Sequence, residues 1–535
     1  MRQRWAVIGL VAIVSFFTGG WLLQRGAAVD GNVYQQARLF DDVLSHVSEY
    51  YVDSLSESTL YRKATDGMLA ELHDPYSVLL VDDDYQQLTE TTTGNYGGLG
   101  IQIDVRDGWI TVVAPLPDTP AEQAGIETGD RIIEVDGKST QGWNNDKAVN
   151  ALRGEPGSQV QIKVERAGIN DPLKFDLARA RIHLRSVPAG TLFTGGIGYI
   201  SLNPVSESSA AELQAEITAM IQKGMKSMIF DLRGNPGGLL DQGVKVADLF
   251  LNPRQEIVST KGRARNSSKE FFDDARQQWP DLPIIVLVNE GSASAAEIIA
   301  GALQDHDRAV VVGTPTFGKG LVQTLFTLGD NVALKLTTAR WYTPSGRTIQ
   351  RVAKDEEDQY EMAARDSGTG VADDTTRPVF HTDAGRTVRG GGGIVPDIVM
   401  RQDSTTSGEK AFIAAIGSKA QEYRDVLTTY ALDLKRDHGV TSEDFSVTPA
   451  MKAEAVRRLR SKGINLTDDQ VAHAGRFLDQ NLSYEIARYV FGRPAEFRRR
   501  AKDDTQVQAA IDLLGRARTP QALLGLTAAP RSPAN

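Results

Sequence analysis

The chain has 535 residues and a formal net charge of −10, with 41% hydrophobic and 24% charged residues. This length allows about three or four domains, and the composition is that of a globular protein with a sizeable core. The negative charge argues against nucleic acid as the main partner, because binding to phosphates needs a basic surface. The absence of cysteine excludes disulfides, a thiolate metal site and a cysteine nucleophile.

An apolar segment near the N-terminus predicts a membrane anchor. Two arginines precede an uncharged, mostly apolar stretch from Trp5 to Leu23, close to the ~20 residues that span a bilayer as a helix. A cleaved signal peptide is the alternative, because small residues at 26–28 resemble a cleavage site. We assign residues 1–28 to a signal-anchor or signal peptide. The rest of the chain is then expected on the periplasmic or other extracytoplasmic side, anchored to the inner (cell) membrane or secreted.

The region after this segment divides into a helical part and a β-rich part. Apolar residues recur at helical spacing over residues 29–90, which predicts an N-terminal helical region. Residues 91–182 contain short β-rich segments, such as Trp109–Val113, separated by Gly-Asp and Asp-Gly turns. This second part is predicted to form a small β-rich domain.

Residues 183–402 predict an α/β core. Apolar runs such as Ile284–Val288 suit strands that are covered on both faces, and helical patterns follow them. Within this core, residues 353–380 are polar and predict a flexible surface insertion. Residues 403–535 have helical periodicity and predict a helical C-terminal extension, which would serve in packing or self-association.

The sequence GTPTFGKG at Gly313–Gly320 nearly matches the phosphate-binding loop G-x-x-x-x-G-K-[ST]. However, Gly320 stands where the magnesium ligand belongs, and Pro315 lacks a backbone donor. The residues after Lys319 are strand formers, whereas a phosphate loop opens a helix. These three differences disfavour a nucleotide-binding protein.

Ser294 stands between an apolar strand and a predicted helix, where unpaired N–H groups and the helix dipole stabilise an oxyanion. Ser294 and Glu297 also fit a helix capping box, so both interpretations remain open on this segment alone. Along a continuous helix His306 would lie about 18 Å away, too far to activate the serine. A lysine can replace histidine if desolvation lowers its pKa well below ~10.4, and Lys319 has no carboxylate beside it in sequence.

Five motifs stand along the core: DLRGNPGG at 231–238, GSASAAE at 291–297, FGKG at 317–320, YTPSG at 342–346 and GIVPD at 393–397. In this order they resemble the carboxyl-terminal processing proteases, a family of tail-specific Ser–Lys peptidases that carry a PDZ domain. The resemblance covers residues from about Val33 to Met400. It implies a crotonase/ClpP-like α/β catalytic core with an inserted PDZ domain, helical regions at both ends, and no metal, nucleotide or flavin.

The resemblance implies roles for four side chains. Ser294 would be the nucleophile and Lys319 the general base, with Gln323, four residues further on, orienting the lysine. Asp305, at the end of the helix that Ser294 opens, is a weaker catalytic candidate, because an acidic residue there assists in some members. These assignments describe a serine endopeptidase that acts without a histidine.

The resemblance also implies an oxyanion hole made of backbone N–H groups. One donor would be Ala295, the residue after the serine, and the other would come from the glycine-rich turn. The sequence leaves the choice between Gly237 and Gly238 open. Many members carry serine at the position of Ala296, a departure that leaves the proposed nucleophile unchanged.

The β-rich domain resembles a PDZ domain, which binds an extended chain end by strand addition and holds its carboxylate with backbone amides. Residues 97–101 look like the carboxylate-binding loop, and residues 146–152 would form the groove helix. The residues expected to contact the peptide are Gly98, Leu99, Gly100, Ile101, Val149 and Leu152.

The sequence therefore predicts a membrane-anchored serine endopeptidase that binds substrate proteins by their C-terminal tails and cleaves them nearby. The membrane is a partner through residues 1–28, nucleic acid is not expected, and we also consider a homo-oligomer and an adaptor protein. The alternative is a non-catalytic PDZ scaffold or adaptor at the membrane. That alternative predicts a degraded catalytic site, whereas Ser294, Lys319 and Gln323 are all present.

Overall fold

The computed structural model describes residues 33–166, 168–352, 356–368, 376–403 and 405–527. The predicted anchor at 1–28 lies outside the described residues, as do parts of the predicted insertion. Within the described ranges, no helix combines the length and hydropathy needed to cross a bilayer.

The chain separates into two compact units, and the smaller one contains the described residues up to Val81 together with Gln323–Thr337. Its second helix begins after Ser56, whose side chain accepts a hydrogen bond from the Thr59 N–H, as N-caps do. Its first strand, at Val78–Val81, pairs antiparallel with residues Val332 to Lys335, which begin a long strand. The elements that lie wholly or partly in this unit are α1 (33–50), α2 (Glu57–Ala70), β1 (Val78–Val81), β17 (Leu321–Gly329) and β18 (Val332–Tyr342).

The larger unit begins with a helix and the predicted β-rich domain. Six strands form an antiparallel sheet, five of them in the order β3-β4-β5-β7-β8 and the sixth, β6, paired with β5. Alternate residues of β7 point into the core of this domain. This is the period-2 burial expected of a sheet with one solvated face. The elements are α3 (Asp83–Thr93), β2 (Asn95–Gly98), β3 (Ile101–Arg106), β4 (Trp109–Pro115), α4 (Pro120–Gln123), β5 (Arg131–Val135), β6 (Lys138–Ser139), α5 (Asn145–Leu152), β7 (Gln159–Glu165), β8 (Leu173–Ala178) and β9 (Ala180–His183).

A six-stranded sheet forms the α/β core that the sequence predicts. The strand order is β10-β11-β12-β15-β16-β21, parallel except for β10. The apolar run Ile284–Val288 is β15, and all five of its residues are buried. The other elements are β10 (Thr191–Phe193), β11 (Ile197–Ser201), α6 (Ser209–Gln222), β12 (Ser227–Asp231), α7 (Leu240–Asp248), α8 (Ala295–Asp305), β16 (Val310–Gly313) and β21 (Ile398–Val399).

Further elements flank this core. Strand β13 (Glu256–Gly262) pairs with β14 (Lys269–Phe272) and with the end of β18. Of the predicted insertion, the structure describes a helix, α9 (Glu356–Gly368), and the start of a short hairpin, β19 (Val379–His381) with β20 (Thr387–Arg389). Part of this polar stretch is therefore regular structure.

The C-terminal extension is helical, as predicted, and most of it forms a bundle with its own apolar core. Threonine or aspartate side chains cap five of the helices, which fixes their first turns. The helices are α10 (Ser407–Ile416), α11 (Ala420–Arg436), α12 (Pro449–Ser461), α13 (Asp468–His473), α14 (Gly475–Ile486), α15 (Arg493–Asp503), α16 (Thr505–Arg516) and α17 (Pro520–Gly525), with a 3-10 turn at Gly417–Lys419 and a π-helical turn at Ala487–Phe491.

The extension covers one face of the core sheet, while α6, α7 and α8 cover the other. This explains why the central strand β15 is apolar at every position. The buried residues between the sheet and the last helices are Ile197, Ile229, Ile285, Leu287, Val310 and Val312 from the strands and Ala501, Val507, Ala510, Leu514, Ala517 and Leu523 from the extension.

The extension also holds the β-rich domain. The Asp425 carboxylate of α11 accepts a hydrogen bond from the Asp107 N–H at 3.0 Å, and Lys462 of α12 binds the Asp107 carboxylate at 3.0 Å. Gln421 donates to the Val105 carbonyl oxygen at 3.1 Å. The turn after β3 is thereby fastened to the helical bundle.

Candidate active site

Ser294 lies in the turn between β15 and α8 and is half-buried. Its φ of 53° and ψ of −117° fall in a region that residues with a β-carbon rarely occupy. A hydrogen bond from the neighbouring segment holds this turn, because the Ser292 hydroxyl donates to the Leu232 carbonyl oxygen at 2.8 Å. Asn289 Oδ1 accepts from the N–H groups of Gly291 and Gly234. Ser294 is thus held in a strained conformation at the start of a helix.

Glu297 connects the serine turn to the lysine loop. Its carboxylate is fully buried, and Oε2 accepts hydrogen bonds from the backbone N–H groups of Ser294 at 2.8 Å and Lys319 at 2.9 Å. Oε1 accepts from the Gly318 N–H at 2.8 Å and from the Thr316 hydroxyl at 2.5 Å. Burial raises the pKa of Glu297, and these four donors oppose the rise. Glu297 does cap α8, but the same carboxylate also fixes the segment that carries Lys319.

The loop from Thr316 to Gly320 has every backbone N–H and C=O hydrogen-bonded, so it is a rigid platform for the half-buried Lys319. Besides Glu297, Gln359 of α9 donates to the Gly318 carbonyl oxygen at 2.5 Å. The remaining bonds run from Thr316 N–H to Ile394 O, Phe317 N–H to Ser292 O, Arg351 to the oxygens of Thr316, Phe317 and Gly318, Trp341 to the oxygens of Lys319 and Gly320, and Gly320 N–H to Gln350 Oε1.

The glycine-rich turn after β12 lies against the serine. Gly237 has a φ of 89°, and a β-carbon there would come within 2.8 Å of both Ser294 Cβ and the Ala295 nitrogen. The Gly237 N–H donates to Asn235 Oδ1 at 2.8 Å. Within the described part of the chain, the N–H groups of Gly238 and Ala295 have no hydrogen-bond acceptor. One of these two unused donors directly follows Ser294, and the other directly follows Gly237, the glycine that lies against Ser294.

Asp231 and Arg233 form a buried ion pair at the base of this turn. Arg233 Nη2 lies 2.6 Å from Asp231 Oδ2, and the Arg233 Nε lies 3.0 Å from both carboxylate oxygens. Asp231 Oδ1 also accepts from the Arg233 N–H at 2.9 Å, and Tyr199 donates to Oδ2 at 2.7 Å. Burial raises the pKa of Tyr199, and the nearby Asp231 carboxylate adds to the rise.

The structure places Asp305 away from Ser294. Asp305 is the last residue of α8, about 16 Å along the helix from Ser294. Its carboxylate binds the fully buried Arg347 at 2.6 Å and accepts from the Ser345 N–H at 3.0 Å. His306 is likewise occupied, with the Glu256 carbonyl oxygen at 2.6 Å. Asp305 therefore stabilises the far end of the helix.

Gln323 belongs to the smaller unit, where its Nε2 lies 3.4 Å from Thr337 Oγ1 on the neighbouring strand β18. This contact is within that unit. Its predicted role in orienting the lysine stays a prediction.

The predicted peptide-binding residues take different positions in the β-rich domain. Leu99 and Leu152 are buried in its core, while Ile101 and Val149 are half-buried. A β-carbon on Gly100 would overlap Thr119, which explains a glycine with a φ of 74°. Gly98 is buried in β2, where the strand pairs with β9. A cavity of about 710 Å³ between α3 and α5 is lined partly by Val149.

Comparison with known proteins agrees with this arrangement. A family model described as peptidase family S41 matches residues 196–358, and one described as PDZ domain matches residues 111–166. A carboxy-terminal-processing protease of Bartonella bacilliformis is 40% identical over 356 residues, covering 64% of this chain and 81% of that protein. The chain belongs to the carboxy-terminal processing protease family. The carboxy-terminal processing protease CtpA of Bacillus subtilis is 34% identical over 346 residues, covering 64% and 72% of the two chains.

Solved structures of this family are also similar to the chain. The photosystem II D1 C-terminal processing protease is 28% identical, covering 62% of this chain and 97% of its own, with a TM-score of 0.34. The PDZ domain of a carboxy-terminal protease from Vibrio cholerae, solved in complex with a peptide, is 26% identical and covers 17% and 99% of the two chains, with a TM-score of 0.16. The two family models assign the PDZ domain to the β-rich domain and the S41 peptidase to the α/β core.

The sequence does not predict the contacts that two residues, Glu297 and Gln359, make with the lysine loop. Glu297 was visible as a capping residue, but its contact with the lysine loop depends on tertiary structure. Gln359 stands in a polar stretch without any motif, and nothing in the sequence links it to Gly318.

Proposed function

We propose that the enzyme cleaves peptide bonds with Ser294 as nucleophile and Lys319 as general base. The observation that carries this proposal is the shared carboxylate of Glu297, since one oxygen binds the backbone N–H of both residues. Neutral Lys319 accepts the hydroxyl proton as Ser294 Oγ attacks the substrate carbonyl carbon. The lysinium then donates this proton to the departing amine, and water hydrolyses the acyl-enzyme. The orienting role of Gln323 is proposed from the family resemblance alone.

We assign the oxyanion hole to the N–H groups of Ala295 and Gly238. Both donors are unused within the described residues, whereas the Gly237 N–H is already bonded to Asn235 Oδ1. Two fixed donors aimed at the developing negative charge lower the barrier without reorganisation. Gly237 contributes by its missing side chain, which leaves room for the serine turn.

The PDZ domain is proposed to bind the C-terminal tail of protein substrates and so to select them. The half-buried apolar residues Ile101 and Val149 favour an apolar tail, and the glycine loop at 97–101 would receive its carboxylate. We propose that residues 1–28 keep the enzyme at the extracytoplasmic side of the cell membrane, on the evidence of their sequence. N-terminal sequencing of the membrane-bound and soluble fractions distinguishes an anchor from a cleaved signal peptide.

The dyad is tested with an unstructured protein substrate that ends in an apolar tail. Ser294→Ala and Lys319→Ala should each abolish cleavage, while Lys245→Ala, at an exposed position on α7, should cleave at the wild-type rate. Full activity of either dyad variant contradicts the assignment. Tail binding is tested separately by amidating the substrate's C-terminus, which should raise KM and leave kcat nearly unchanged.

A further inference from the structure

The C-terminal extension reaches the base of the glycine-rich turn. Arg233, whose Nε and Nη2 bind Asp231, directs its third nitrogen at α16. Nη1 lies 2.8 Å from Asp504 Oδ2 and 2.9 Å from Gln506 Oε1. The Arg233 side chain is 12% exposed and the Asp504 side chain 21%, so solvent screens this ion pair only partly. The extension therefore supplies two of the acceptors that hold a residue of the turn.

Both extension residues are themselves held in place. Asp504 Oδ1 accepts hydrogen bonds from the Gln506 and Val507 N–H groups at 3.0 and 3.1 Å, which caps α16. The Gln506 side chain is 1% exposed, and its Nε2 donates to the Met400 carbonyl oxygen at 2.7 Å, next to β21. Because α16 also packs on the core sheet, these acceptors are fixed relative to the strands.

Arg233 is close in sequence to the proposed donor Gly238, and the turn between them is short. Arg233 restrains this turn at its start through Asp231, while Asn235 restrains its middle by donating to the Leu202 carbonyl oxygen at 2.7 Å. A shift of Arg233 would therefore be transmitted along the backbone to the Gly238 N–H. Misplacing one donor of an oxyanion hole lowers the rate of the chemical step more than substrate binding.

We propose that Asp504 and Gln506 are positioning residues that act through Arg233 to fix the oxyanion turn. In this enzyme the C-terminal extension completes the active site, although it contributes no group that touches the substrate. The inference rests on the proposed Ser294 chemistry and on the assignment of Gly238 as a donor.

The variant Asp504→Asn separates positioning from folding. Asparagine is as good an N-cap as aspartate, so α16 keeps its cap while the charge opposite Arg233 is lost. We expect kcat to fall by roughly tenfold, because hydrogen bonds between charged groups are the stronger ones, with KM and Tm nearly unchanged. Gln506→Ala should act in the same direction. The matched control is Glu443→Gln, which removes a charge that pairs with Arg498 elsewhere on the extension and should leave kcat unchanged.

A double-mutant test shows whether Arg233 carries the effect. In an Arg233→Gln background, Asp504→Asn should lower kcat no further. Wild-type kcat for Asp504→Asn, or an equal loss of kcat in both backgrounds, overturns the inference. Ser294→Ala, measured in parallel, distinguishes failure of the proposed chemistry from failure of the positioning role. If that variant is active, the proposed chemistry fails, but if it is inactive while Asp504→Asn has wild-type kcat, only the positioning role fails.

Discussion

Glu297 Oε2 lies 2.9 Å from the backbone nitrogen of Lys319, although a strand and a loop separate the two residues in sequence. The contact makes a buried carboxylate the connection between the helix that Ser294 opens and the loop that carries the lysine. A carboxylate suits this position because it only accepts hydrogen bonds, and four donors converge on it.

Glu297→Gln should therefore impair both catalysis and stability. The amide replaces one acceptor oxygen by an NH₂ group that faces backbone donors, leaving buried N–H groups unpaired at about 1–3 kcal/mol each. We expect kcat to fall by about 100-fold and Tm to decrease, measured by tail-peptide cleavage and calorimetry. The control Glu290→Gln changes a carboxylate that accepts a hydrogen bond from the Thr314 hydroxyl, its one partner among the described residues, and should retain activity. A kcat within twofold of wild type for Glu297→Gln would falsify the bridging role.

Gly237→Ala should inactivate the enzyme. The new methyl group would lie 2.8 Å from Ser294 Cβ and the Ala295 nitrogen, so the serine turn must move, and alanine is also strained at a φ of 89°. The reaction rate with a serine-directed phosphonate measures the loss directly. Gly234→Ala is the matched control, since its φ is 64° but its β-carbon would meet open space. Comparable loss in both variants would point to backbone strain and away from displacement of Ser294.

Gln359→Ala tests whether α9 supports the lysine loop. The Gln359 side chain is 2% exposed and donates to the Gly318 carbonyl oxygen, so its removal leaves this oxygen with one donor fewer. We expect a loss of about 1 kcal/mol in local stability, seen as faster amide hydrogen exchange in residues 316–320, and a several-fold lower kcat. Tyr360→Ala, at an exposed position on the same helix, should change neither. Unaltered exchange in the loop for Gln359→Ala contradicts the supporting role.

Asp273→Asn should stabilise the protein at neutral pH but not at acidic pH. Burial, together with the nearby Asp248, raises the pKa of Asp273 to about 6, above the ~3.9 of the unfolded chain. Its contribution to stability is fully present below about pH 4 and is lost as pH rises through 6. The asparagine variant does not ionise, so it should gain about 1–2 kcal/mol at pH 8 and nothing at pH 4, measured by urea unfolding. Asp171→Asn, at an exposed position that does not act on Asp273, serves as control. An equal gain at both pH values would contradict the titration of Asp273.

The sequence predicted the strands and the serine turn because their signals are local. The run Ile284–Val288 is apolar at every position, and only a strand buried on both faces requires that. The motif around Ser294 identifies the turn after this strand as the one that carries the candidate nucleophile. The sequence does not predict which segment covers the outer face of β15. The periodicity of α16 predicts an apolar face on that helix but does not identify the surface against which it packs.

Contacts between distant segments were the part that sequence reasoning could not supply. The sequence explains Glu297 fully as a helix-capping residue, so it gives no sign that the same carboxylate also binds the loop that carries Lys319. The family resemblance makes Asp305 a catalytic candidate, but its carboxylate binds Arg347. Each case depends on a partner brought close by the tertiary fold.

The placement of α16 and α17 against the core sheet has a consequence for the order of events during biosynthesis. These helices leave the ribosome after every strand of the sheet, including β21, so a growing chain carries a bare apolar sheet face until residues beyond 500 have emerged. We expect the peptidase domain to reach its final packing only then. The same dependence makes the enzyme's own C-terminal segment a point of vulnerability, since trimming it back past α16 would uncover the sheet from which Ser294 is presented.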